Sequence, residues 1–250
     1  MSANILYLGD TSLTDAASYL AGVITHWGWE FDYVPSEETA DPSLFAGPRD
    51  LFVLSDYPAS NLSDALQREL VKQVEGGAGL IMLGGWESFH GLGGDWDGTP
   101  VAAALPVEIA SEDDRVNCDR PVLVDQVAGH PAVAGLPWKT CPPVIGGFNR
   151  ITPKPDATVV LESQMFNAAR TDEGFSLEPA QRNPLLIVGR HGKGRTAALA
   201  TDVAPHWVGP WVDWGVPRVV AQATGANAVE VGGDYARFFR QLLAWTGDLD

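Results

Sequence analysis

Three short apolar runs in the first half of the chain each stop abruptly at a polar turn, and this pattern restricts the fold more than any other feature. Asn4–Leu8 (NILYL) ends in Gly9-Asp10-Thr11, and Asp50–Leu54 (DLFVL) ends in Ser55-Asp56-Tyr57-Pro58. Leu80–Leu83 ends in Gly84-Gly85, followed at once by Trp86, Glu87, Ser88, Phe89 and His90. Short apolar runs bounded by Gly, Asp and Pro read as buried strands. Helical periodicity fills the gaps. Thr11 or Ser12 can cap a helix to about Trp27, with Leu13, Ala16, Ala17, Leu20, Val23, Ile24 and Trp27 on one side and Gly28 as its stop. Phe31–Val34 reads as a further strand closed by Pro35. Asn61 or Ser63 opens a second helix to about Glu75, with Leu62, Leu66, Leu70 and Val74 on one face. Strand–helix–strand order implies a parallel sheet with right-handed crossovers and helices on both faces. Such sheets bind ligands at the carboxyl ends of their strands. Asp10, Asp56 and the Trp86–His90 turn all fall there.

The stretch from about 95 to 154 is less regular and reads as an insertion or lid on a single domain covering 1–250. Thr99–Leu105 suits a short helix and Pro121–Asp125 a strand, while His130–Pro137 and Cys141–Asn149 are rich in proline and glycine and read as irregular. Strands return at Ala157–Glu162, Pro184–Val188 and Arg195–Ala200, the last two joined by a turn at His191–Gly194. Thr201–Trp207 (TDVAPHW) follows at a strand end, and a helix from about Asp234 to Trp245 closes the chain.

Charge narrows the function classes. The 32 acidic and 16 basic residues give a net charge of −16, which excludes nucleic acid as a partner. No apolar run approaches the roughly 18 residues that span a bilayer, so no membrane contact is expected. The start MSANILYLGD has neither a basic segment nor a long apolar one, so a cytoplasmic location is expected. Two cysteines, Cys118 and Cys141, are too few for a disulfide framework and form no CxxC. There is no HExxH or His-x-His pattern, and Gly192-Lys193-Gly194 is not a phosphate loop, so neither a metal nor a cofactor is expected.

The turn after Leu80–Leu83, the glycine-lysine-glycine hairpin and a late strand ending in Asp202 and His206 resemble the class I glutamine amidotransferase-like superfamily. HPAVAGLPW (130–138) and TDVAPHW (201–207) resemble its trehalose-utilisation (ThuA-like) branch and a neighbouring amidotransferase-like family. The resemblance covers nearly the whole chain. It implies a three-layer, flavodoxin-like α/β fold with a mostly parallel sheet. It also implies a nucleophile elbow, G-x-C-x-G in true glutaminases, followed later by a His-x-Glu pair. Here the elbow position carries Glu87, within Gly85-Trp86-Glu87-Ser88-Phe89, and His206 is followed by Trp207-Val208. Thioester chemistry needs a thiolate, so the chain is expected not to hydrolyse glutamine by that route.

The candidate catalytic residues are Glu87, His90, Asp202 and His206. Glu87 would act as acid, base or nucleophile with His90 carrying a proton, or it would merely cap the next segment. A helix starting after the elbow would hold Glu87 ionised through its N–H groups. Asp202 would orient His206, or would cap a helix. Asp10, Thr11, Asp56, Trp86, Ser88 and Trp207 are candidates for substrate binding. Asp10 could equally cap the first helix, and the Ser55–Asp56 backbone stands where the fold places an oxyanion-hole amide. Nine tryptophans offer flat faces suited to a sugar ring, or to core packing and subunit contact. The expected activity is hydrolysis or isomerisation of a small, sugar-like metabolite. The alternatives are an inactive binding module that forms homo-oligomers through residues 207–214, and an amidotransferase using one of the two cysteines.

Overall fold

In the computed structural model, which describes residues 3–250, the expected alternation is present. Strands β1 (Asn4–Gly9), β2 (Glu30–Val34), β3 (Leu51–Ser55) and β4 (Gly79–Leu83) are joined by helices α1 (Ala17–His26) and α2 (Asp64–Gly76). Then come α3 (Pro100–Ala104), β5 (Val107–Glu108), β6 (Arg115–Gln126), β7 (Val144–Asn149) and β8 (Thr152–Pro153). The chain continues through β9 (Thr158–Thr171), β10 (Gly174–His191), β11 (Gly194–Leu199), α4 (Pro205–Val208), β12 (Val219–Ala221), β13 (Val229–Val231) and α5 (Gly233–Gly247).

Nine strands form one sheet in the order β2-β1-β3-β4-β11-β10-β9-β6-β7. The first five of these run parallel, and the remaining four alternate antiparallel. Every residue of β3 and β4 is buried, as strands covered on both faces should be. Helices α1 and α5 pack against each other, α5 lies on β3, β4 and β11, and α2 pairs with α3. This is the three-layer α/β arrangement of a flavodoxin-like fold.

Two local expectations change. Helix α1 begins at Ala17 rather than after Thr11, and its N-cap residue, Ala16, offers no side-chain bond. Asp10 and Thr11 take left-handed backbone angles (φ 54° and 60°), so the chain bends before it can coil, and the Asp10 carbonyl accepts from Ala17 N–H. The second change concerns the stretch read as a lid. Much of it is sheet: β6 pairs with β9, and β7, which contains the Gly146-Gly147 pair, pairs with β6. These glycines are adaptations to packing rather than loop signals. A Cβ on Gly147 would lie 2.5 Å from the Trp207 ring. The β9–β10 hairpin is also longer than its apolar core suggested, and it carries exposed Phe175 and Leu177 at its far end.

Candidate functional site

Parallel pairing places Gly9 beside Ser55, and Ser55 beside Leu83. The residues just past these strand ends therefore converge, and β11 delivers Asp202 from the other side of β4. One carboxylate oxygen each from Asp10, Asp56 and Asp202 lie within 4.8 Å of one another. Asp10 is 1% exposed and Asp202 6%. Like charges this close in a dry setting resist simultaneous ionisation.

Each carboxylate has its own donors. Asp10 accepts from the Tyr7 hydroxyl and, at 2.9 Å, from Ser55 Oγ. It therefore does not cap α1. Asp56 Oδ1 accepts from Glu87 N–H at 2.7 Å. Asp202 Oδ1 accepts from the N–H groups of Val203 and Ala204. These bonds offset burial only in part. Burial pushes Asp10 up to about 6, against the opposing Tyr7 and Ser55 bonds. Burial and then the Asp10 charge push Asp202 up to about 8. Asp56 is raised well above the usual range by burial, then by Asp202 and Asp10.

The turn after β4 closes over this trio. Gly85 has no side chain because the Asp56 carboxylate occupies that space: a Cβ would lie 2.1 Å from Asp56 Oδ1. Ser88 Oγ accepts from Asp56 N–H at 2.8 Å, so that amide is already bonded and is not a free oxyanion donor. Trp86 lies between two residues that touch Asp56, and it is 42% exposed. The Arg115 guanidinium covers its ring at 4.4 Å, and His206 meets it edge-on at 6.0 Å.

No helix starts at the turn; the next one begins at Pro100. The N–H groups expected to hold Glu87 ionised are therefore absent, and burial followed by the Glu37 charge raises its carboxyl instead. The non-glycine residue of the turn with a left-handed backbone is Phe89 (φ 52°), whose ring is buried, so Glu87 is not displayed on a strained tip. His90 turns to Asp97, with Nδ1 2.8 Å from Oδ1, and this bond raises its pKa. His206 is exposed, and among the described residues no hydrogen bond joins it to Asp202. Thr11 is exposed and its N–H goes to Ser36 Oγ. Trp207 is 2% exposed and donates to Asn117 Oδ1, which makes it a packing residue of β7. Trp211 and Trp214 are also buried, in a cluster with Trp138, so segment 207–214 packs within its own chain rather than facing outward.

The structure thus gathers Asp10, Asp56 and Asp202, with Glu87 and Ser88 as backbone and hydroxyl partners and Trp86 at the rim. Three supporting residues carried no sequence signal of their own, Tyr7, Asp114 and Asn149, and Ser55 was singled out only for its backbone. The trio is the one group among the described residues whose ligand atoms could meet on a metal ion. Its all-oxygen donor set suits a hard divalent cation. The two thiols lie elsewhere. Cys118 is half-buried on β6 with its pKa pushed up by burial and then by Asp119, while Cys141 is exposed.

A family model described as "Putative glutamine amidotransferase" matches residues 47–219, more than half of the chain. The chain belongs to this family. The amidotransferase-like region so matched includes Asp56, the Gly84–Gly94 turn and Asp202, and begins after Asp10. No curated protein sequence matches the chain. Among solved structures, a cytoplasmic protein from Salmonella typhimurium is 22% identical over 97% of this chain and 98% of its own, with a TM-score of 0.73. A ThuA-like protein from Parabacteroides merdae is 13% identical over 99% of this chain and 90% of its own, with a TM-score of 0.57. Agd3, a carbohydrate deacetylase, is 13% identical over 80% of this chain and 29% of its own, with a TM-score of 0.50. At these identities the shared property is the fold. Among the described residues no helix is long and apolar enough to cross a membrane.

Proposed function

We propose that this amidotransferase-like chain binds a small polyhydroxylated metabolite of carbohydrate type and acts on it by carboxyl acid–base chemistry. The observation that carries this reading is the convergence of Asp10, Asp56 and Asp202 within 4.8 Å beside a half-exposed tryptophan. Carboxyl groups accept from sugar hydroxyls, and an indole face stacks on the C–H face of a ring. Burial and mutual charge raise all three carboxyls, so the set holds protons at neutral pH and one member can donate while a neighbour accepts. Proton exchange beside a carbonyl fits carboxyls this close, since a water held between two carboxyls needs about 6.5–9.5 Å. A part of Agd3, 29% of its chain, shares the fold, and Agd3 is a carbohydrate deacetylase, which agrees with the substrate class. Thioester chemistry would need a thiolate at the turn, and residues 84–94 contain no cysteine.

The test is a panel of sugars and sugar derivatives followed by thermal shift and tryptophan fluorescence. Binding is expected to fall at least about tenfold in Asp202→Asn, Asp10→Asn and Trp86→Ala, a loss of about 1.4 kcal/mol each, and to persist in Cys118→Ser. Binding that ignores all three site variants, or no binding across the panel, overturns the reading. Ammonia release from glutamine that is lost in Cys118→Ser or Cys141→Ser would restore the amidotransferase alternative. A second reading, a divalent cation held by the trio, is favoured by the donor set. It is read by the melting temperature with magnesium, manganese or calcium in wild type and in Asp56→Asn.

A further inference from the structure

The turn that covers the trio is held from behind by two side chains outside the candidate set. Asn149, fully buried at the end of β7, accepts from Gly85 N–H at 2.9 Å through Oδ1. Its Nδ2 donates to the Gly85 carbonyl at 3.1 Å and to Asp114 Oδ1 at 2.7 Å. Asp114, 1% exposed and just ahead of β6, accepts from Gly91 N–H and His90 N–H, both at 3.1 Å. Asn149 thus grips the first residue of the turn and Asp114 the last two, and a direct bond joins them. Their backbones are tied as well: Asn149 N–H donates to the Ala200 carbonyl and Arg150 N–H to that of Asp114.

The turn bonds forward at two points: Glu87 N–H donates to Asp56, and Ser88 Oγ accepts from Asp56 N–H. Both points lie inside the clamped span. A buried carboxylate among neutral donors is costly to keep and is retained where it fixes a geometry. Burial raises the Asp114 carboxyl while its Asn149, His90 and Gly91 bonds lower it, as a carboxylate held by neutral groups should behave.

We propose that Asp114 and Asn149 are positioning residues, a clamp supplied by the β6 and β7 strands that holds residues 85–91 so that Glu87 N–H and Ser88 Oγ stay registered on Asp56. The proposal takes the trio as the working site, but its own test needs no ligand. It also gives a function to the part of the chain that departs most from a simple parallel sheet: β6 and β7 form the back wall of the site.

The experiment is amide hydrogen exchange by NMR on the full chain, comparing wild type with Asn149→Ala. Glu87 N–H is expected to exchange at least about tenfold faster in the variant, and its proton resonance to move upfield as the bond to Asp56 lengthens. Val203 and Ala204 N–H, bonded to Asp202 on the other side of the site, should keep their protection, because local opening does not require global unfolding. Asp114→Asn, which puts an amide where an oxygen accepts, is the milder variant should Asn149→Ala fail to fold, and the same split is expected. Unchanged Glu87 exchange, or exchange rising equally at Glu87, Val203 and Ala204, overturns the clamp. Neither result bears on sugar binding, which Asp202→Asn and Trp86→Ala test separately.

Discussion

Asp10 and Asp202 bring stability and chemistry into conflict at the scale of single residues. In the unfolded chain an aspartate titrates near about 3.9. In the folded chain Asp10 titrates at about 6 and Asp202 at about 8. The folded state therefore holds protons that the unfolded state has released. Their contribution to stability is complete below about pH 4 and is lost as pH rises through the folded values. His90, raised by Asp97, acts in the same direction. Asp113 and Asp125, lowered by Arg115 and Lys139 respectively, act oppositely, and their contributions fade only in stronger acid. The expected outcome is a urea midpoint that falls from about pH 4 to about pH 8. Asp202→Asn should flatten the upper part of that slope by removing the titrating group. A slope identical in the variant would show that Asp202 is not the group responsible. Gly85 belongs to the same scale, since the Asp56 carboxylate stands where any larger residue would place its Cβ.

Among the elements, β7 has a job that its composition conceals. Proline and glycine from Cys141 to Asn149 read as a loop because both weaken strands. In the structure Gly147 gives way to the Trp207 ring, and Asn149 at the strand end holds the turn after β4. Gly147→Ala would force a methyl to 2.5 Å from Trp207 and is expected to destabilise the protein by about 1–3 kcal/mol. A fall of several degrees in the melting temperature is the readout, and an unchanged one would mean that α4 shifts freely. α1 teaches a related lesson. Thr11 and Ser12 looked like caps by residue type, but a cap needs an extended backbone, and the left-handed angles at Asp10 and Thr11 move the helix start to Ala17.

For the whole molecule, a net charge of −16 sits on a fold whose site brings three of the acidic groups into close contact. Self-repulsion of this kind disfavours the compact state and is screened by salt. Raising sodium chloride from about 0.1 to 1 M shortens the Debye length from about 10 to 3 Å, so the melting temperature should rise. Calorimetry across that range checks it, and a flat response would place the negative charge evenly enough to be harmless. The tryptophans also find their meaning at this scale. Trp211 and Trp214 close the core around Trp138 and Phe238, Trp207 packs on β7, and Trp86 is the half-exposed one at the site.

Much of this protein was legible in its residues. Strand periodicity, the strand–helix order and the glycine-rich turn after Leu83 are local signals, and they determine the parallel half of the sheet and the strand ends where Asp10, Asp56 and Asp202 stand. The missing thiol at the turn was equally plain. The sequence could not rank those residues, because ranking depends on distances between groups up to nearly two hundred positions apart. Glu87 and the two histidines stood out by residue type, yet a carboxylate becomes unusual only when burial removes its water and neighbours share its charge. Tertiary structure alone decided that three ordinary aspartates share one dry space, and that an asparagine and an aspartate from the irregular middle hold the turn above them.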